Sequence, residues 1–133
     1  MILPSSVDTN DTAIVSTQNQ WRGLTSESLR QSGYMLRKPD EVISFLSRHT
    51  ALMNILEEAP EHIRHYFGKN ACNLVLEVLH EPDAENEDEL ILFIKTNLPV
   101  HEALQRLDHL DDNWWLEVGS RTQGNLGINL EFV

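Results

Sequence analysis

Cysteine is almost missing from this chain: Cys72 is the only one. That count excludes an internal disulfide and a zinc site built from several thiolates. Basic residues are scarce too, 10 against 21 acids, giving a formal net charge of −11. Neutralising phosphates takes clustered Lys and Arg, so this balance argues against charge-driven binding to nucleic acid or to an anionic membrane. No apolar run approaches the length of a bilayer span. The opening Met-Ile-Leu-Pro-Ser-Ser-Val-Asp has no basic stretch leading into an apolar core, so no secretory signal is expected and the cytoplasm is the expected compartment. The few glycines include Gly124 and Gly127 around Asn125, which lack the spacing of a phosphate loop.

What is present suffices for one domain: 133 residues can enclose a real core. Its clearest stretch is Asn73 to Thr96. Leu74-Val75-Leu76-Glu77-Val78-Leu79 and Leu90-Ile91-Leu92-Phe93-Ile94 are short apolar runs separated by the acidic segment Glu81 to Glu89. Runs this short, bounded by turn formers such as Pro82, predict two strands joined as an antiparallel hairpin. Alternation sets Leu74, Leu76 and Val78 on one face and Val75, Glu77 and Leu79 on the other. Neither strand has a wholly polar face, so both faces call for cover. Helices supply one cover. The other falls to the N-terminal segment, a second copy or another protein.

Residues 1 to 33 are polar and are expected to be disordered or loosely packed, with Trp21 docking as an isolated aromatic. From 34 to 133 the pattern predicts a single α+β domain. Asp40, after Pro39, suits a helix cap ahead of Val42, Ile43, Phe45 and Leu46. Leu52, Met53, Ile55 and Leu56 continue the helical pattern. Pro60 suits the first turn of a further helix carrying Ile63, Tyr66 and Phe67, and Gly68 is placed to end it. Pro99 opens another helix, with Val100, Ala103, Leu104, Leu107, Leu110 and Trp114 on its apolar side and Glu102, Gln105, Arg106 and Asp108 facing away. Leu126, Ile128, Leu130 and Phe132 alternate as a closing strand. The sum is a small, mostly antiparallel sheet backed by helices.

No residue set is assigned to catalysis, a cofactor or a metal. The acids from Glu81 to Glu89 lack the glycine and ligand order of a calcium loop and read as a solvated turn. His62 and His65 lie three apart with no third ligand in view. Cys72 sits at a strand start and reads as structural. The unusual string is Asp111-Asp112-Asn113-Trp114-Trp115. Adjacent tryptophans cannot share one helical face, so one enters the core while the other covers the last strand or lies exposed, where aromatics anchor interfaces. The candidate protein-binding set is therefore Trp114, Trp115, Asp111 and Asp112, with Glu85, Glu87 and Asp88 as an acidic patch for a basic partner.

The order helix, strand, strand, helix, strand over residues 50 to 133 resembles the minimal nucleotidyltransferases, which pair with all-helical HEPN proteins as antitoxin and toxin in bacteria. That family carries Gly-Ser after its first strand, Asp-x-Asp on its second and a third carboxylate later. Here the first strand leads into His80-Glu81-Pro82, the second reads Leu92-Phe93-Ile94, and only Glu131 matches. The resemblance thus implies a non-catalytic, antitoxin-like member, because a two-metal site needs clustered oxygen ligands. Tyr66-Phe67-Gly68, Trp114-Trp115-Leu116 and Leu130-Glu131-Phe132 also resemble a group of small, uncharacterised bacterial proteins. The leading expectation is a non-enzymatic acidic module binding a basic protein. The alternatives are a small hydrolase or transferase using carboxylates Glu77 and Glu131, which could meet on the sheet face opposite the core, and a structural homodimer.

Overall fold

The computed structural model describes residues 26–80 and 88–133. Helix α1 (Ser26–Gln31) leads into a short strand β1 (Tyr34–Leu36). Helices α2 (Pro39–Arg48) and α3 (Leu52–Phe67) follow, then strands β2 (Ala71–Leu79) and β3 (Glu89–Thr96). Helix α4 (Val100–Leu110) runs through a π-turn (Asp111–Trp115) into α5 (Leu116–Gly119), and β4 (Leu126–Phe132) closes the chain. Among the described residues no helix is long and apolar enough to cross a membrane.

The fold is α+β, and the four strands stand in chain order, β1-β2-β3-β4. The hairpin β2–β3 is antiparallel as the sequence predicts, with Leu74 opposite Ile94 and Leu76 opposite Leu92. The other two pairings, β1 with β2 and β3 with β4, are parallel. The expectation of a mostly antiparallel sheet is therefore corrected. A helical connection between neighbouring strands brings the chain back to its starting end, which makes the pair parallel. Helices α2 and α3 do this for β1–β2, and α4 with α5 for β3–β4.

One face of the sheet carries the core. Leu74, Leu76 and Val78, then Leu90, Leu92 and Ile94, pack with Phe45, Leu56, Ile63, Phe67, Leu110 and Trp114 from the helical layer. Part of the segment expected to be loose joins this core: α1 lies within residues 1–33 and its Leu29 is buried. Trp21 lies outside the described residues.

Three local expectations change. Helix α2 begins at Pro39, with Lys38 in a left-handed conformation before it, so Asp40 lies in the first turn rather than at the cap. The predicted break at Pro60 does not occur, and α3 is continuous with Pro60 buried inside it. The Leu56 carbonyl, which a proline at position 60 cannot serve, accepts a 2.7 Å bond from the Tyr34 hydroxyl instead. On α4 the buried side is Ala103 and Leu110, while Val100 is 56% and Leu104 49% exposed. Gly68 ends α3 at φ 57 as predicted, a conformation that favours glycine.

Candidate functional site

Two regions of the molecule gather the chemistry. The first is the sheet face away from the helices. Arg37, just beyond β1, extends across it. Its Nη1 donates to Glu77 Oε1 at 3.0 Å and its Nη2 donates to Glu131 Oε1. Lys95 Nζ lies 3.8 Å from the same Glu131 oxygen. The guanidinium carbon sits 5.6 Å from the centre of the Phe93 ring, so the arginine is laid over an aromatic face. Glu77 and Glu131 do meet opposite the core, as alternation predicts, but through an arginine between them. Hydrogen bonding to Arg37 holds the Glu131 carboxyl below the ordinary glutamate value, while Glu131 and then Glu77 push the Arg37 value up. A carboxyl held ionised in this way is a poor proton donor. The face carries two cations, Arg37 and Lys95, against three carboxylates, Glu77, Glu89 and Glu131. Gly127 belongs to it because a Cβ there would meet Glu89 Oε2 at 2.9 Å and Ile91 Cδ1 at 3.2 Å.

The second region runs along the outer side of α4, through the π-turn, to α5. Leu110, Trp114 and Val118 are spaced four apart, slightly longer than an α-turn, and all three are buried. The wide turn keeps them in line. It is marked by Leu116 N–H donating to the Asp111 carbonyl, five residues back. Trp114 stacks on His62, with ring centroids 4.6 Å apart, and its buried Nε1 has no hydrogen-bond partner among the described residues. Of the predicted contact residues, Trp114 thus belongs to the core. Trp115 is half-buried against it, centroids 5.8 Å apart.

Outward on the same segment lie Val100, Leu104 and Leu116, the last 66% exposed. Asp108, Asp111 and Asp112 share this flank and make no ion pair among the described residues. Partial burial, and then repulsion from Asp108 and Asp112, raise the Asp111 carboxyl above its ordinary value. Beside this flank the helical layer thins out. Ile128 and Leu130 on β4 are half-buried, whereas their counterparts on β2 and β3 are fully buried. Phe132 is 44% exposed at the end of this edge strand, and Val133 N–H bonds the Thr96 carbonyl just before α4 begins.

The remaining predicted positions divide. Glu85 and Glu87 lie outside the described residues. Asp88 accepts from His80 Nδ1 at 2.9 Å, and His80 Nε2 lies 3.0 Å from Glu41 Oε1, tying the hairpin base to α2. Cys72 is exposed beside a register shift at the start of β2. His65, His101 and His109 line a shallow groove with Arg106, which is held by Glu102 at 2.8 Å and by the Tyr66 carbonyl at 3.1 Å. Among the described residues no three His, Cys, Asp or Glu side chains are placed to hold a metal ion. Arg37 was missed in the sequence because its part depends on strands that only the fold brings together. Compared with protein-family models, curated proteins and solved structures, the chain has no match.

Proposed function

We propose that this protein is a non-enzymatic, cytoplasmic binding module that holds a basic protein partner, with an antitoxin-like role as one form of that activity. The observation that carries the reading is the flank of α4 and α5. Exposed Val100, Leu104 and Leu116 adjoin Asp108, Asp111 and Asp112, three carboxylates with no cation beside them among the described residues. Apolar side chains next to unneutralised acids suit a partner segment that is apolar with flanking Lys or Arg. Partial burial, and then repulsion from Asp108 and Asp112, raises the Asp111 carboxyl, and a cation from such a partner would offset the repulsion. The β4 edge, which among the described residues has no further strand beside it and is partly bare of helices, widens the same surface.

Charge also chooses between occupants. A second copy would bring another −11 to the interface, so self-association is the weaker reading. An enzyme using Glu77 and Glu131 is weaker too, because Arg37 joins both carboxylates and keeps Glu131 ionised. The test is affinity purification from the source organism, comparing the wild-type chain with L104Q/L116Q. A stoichiometric basic protein held by the wild type and released by the variant supports the reading. Equal retention by both overturns the assignment of this surface.

A further inference from the structure

A recess of about 290 Å³ lies at the end of the molecule where the α2–α3 connection meets the loop before β4. Residues 48–52 form one wall and residues 121–125 the other. Arg48, His49 and Arg121 line it, together with Thr50, Gln123 and Asn125, and no carboxylate among the described residues does. In a chain with twice as many acids as bases, a recess without an acid and with two guanidiniums stands out. The two arginines are differently held. Arg48 donates to the Ser44 carbonyl at 3.3 Å and lies 5.7 Å from the centre of the Phe45 ring, on which His49 also packs at 4.4 Å. Arg121 has no hydrogen bond or ion pair among the described residues. Its loop is fixed beneath it, since the buried Thr122 hydroxyl donates to the Gly119 carbonyl at 2.7 Å and Asn125 N–H to the Thr122 carbonyl at 3.0 Å.

We infer that this recess binds the phosphate group of a small phosphomonoester, gripped between Arg48 and Arg121 with His49 beside them. A carboxylate has two oxygens and is satisfied by a single guanidinium fork. A phosphomonoester carries nearly two charges and three acceptor oxygens, which takes donors from two walls. The polar groups of Thr50, Gln123 and Asn125 complete a lining suited to the esterified part. This site is separate from the proposed partner surface.

The test is an amide NMR titration of the full chain with inorganic phosphate at constant ionic strength, followed by ribose 5-phosphate and by ribose. The expected result is saturable shifts confined to residues 48–52 and 121–125. R48Q/R121Q, two exposed positions, should weaken binding about tenfold or more while leaving the spectrum dispersed. Tighter binding of ribose 5-phosphate than of phosphate supports a phosphomonoester, and ribose 5-phosphate binding no tighter than phosphate overturns that assignment. Linear or scattered shifts, or saturable binding unchanged in R48Q/R121Q, overturn the inference.

Discussion

Tyr34 and Pro60 complement each other across the core. Proline at 60 removes the N–H that would serve the Leu56 carbonyl, and the Tyr34 hydroxyl donates to that carbonyl at 2.7 Å. Burial holds the phenol far above its ordinary value, so it remains a donor at any working pH. The first residue of a three-residue edge strand thereby sustains an unbroken sixteen-residue helix.

Tyr34→Phe strands a buried carbonyl and should cost about 1–3 kcal/mol in chemical denaturation. Pro60→Ala restores a backbone donor to the same carbonyl. Y34F/P60A should then lose clearly less than the two single changes added together, a coupling that a double-mutant cycle measures. Strict additivity would show that the two residues act independently.

Arg37→Met keeps apolar cover over Phe93 but leaves Glu77 and Glu131 without their shared cation. These side chains are roughly one-third exposed, so the loss should stay below about 1 kcal/mol and shrink as salt is added. Glu131 should titrate higher in the variant. Its depressed value contributes stability above the ordinary glutamate range, and that contribution fades as pH falls through the folded-state value. Side-chain carboxyl NMR of wild type and R37M checks the direction.

Hydrogen bonds to Glu41, first, and Asp88 raise the His80 value above that of an ordinary histidine. The folded state therefore holds this proton more tightly than the unfolded one. The resulting stability is fully present below the ordinary histidine value and is lost as pH rises through the folded-state value. Imidazole NMR should show His80 titrating at higher pH than it does in E41Q, with D88N a smaller change in the same direction.

Asp111→Asn should stabilise the isolated protein at pH 7, because it removes a partly buried charge crowded by Asp108 and Asp112. The gain should vanish in acid, below the ordinary carboxylate range, where Asp111 is protonated in both states. Melting temperatures across pH test this. The same variant should bind the basic partner more weakly, a trade of stability for function.

Strands β2 and β3 were legible as short apolar runs of Leu, Val and Ile bounded by turn formers, and β4 by its period-2 alternation, all local signals. The convergence of Glu77 and Glu131 followed from the same alternation. Strand β1 was not legible, since Tyr34–Leu36 is too short to show a period and is a strand only through its pairing with Leu74–Leu76. Pro60 misled because the donor that permits it lies 26 residues earlier in the sequence. The parallel pairings were implied by the helices between strands, a rule the hairpin overshadowed. At the candidate site, Asp111 and Asp112 were found by their unusual string. The exposure of Val100 and Leu104 depends on how far the helical layer extends over β4, which periodicity alone does not report.

The central claim is tested most directly by amide hydrogen exchange on the affinity-purified complex, compared with the free chain. Protection is predicted at residues 100–116 and 126–133, induced by a basic protein and absent with L104Q/L116Q. Unchanged exchange over those residues, with protection elsewhere or with no partner recovered at all, contradicts a partner surface on this flank.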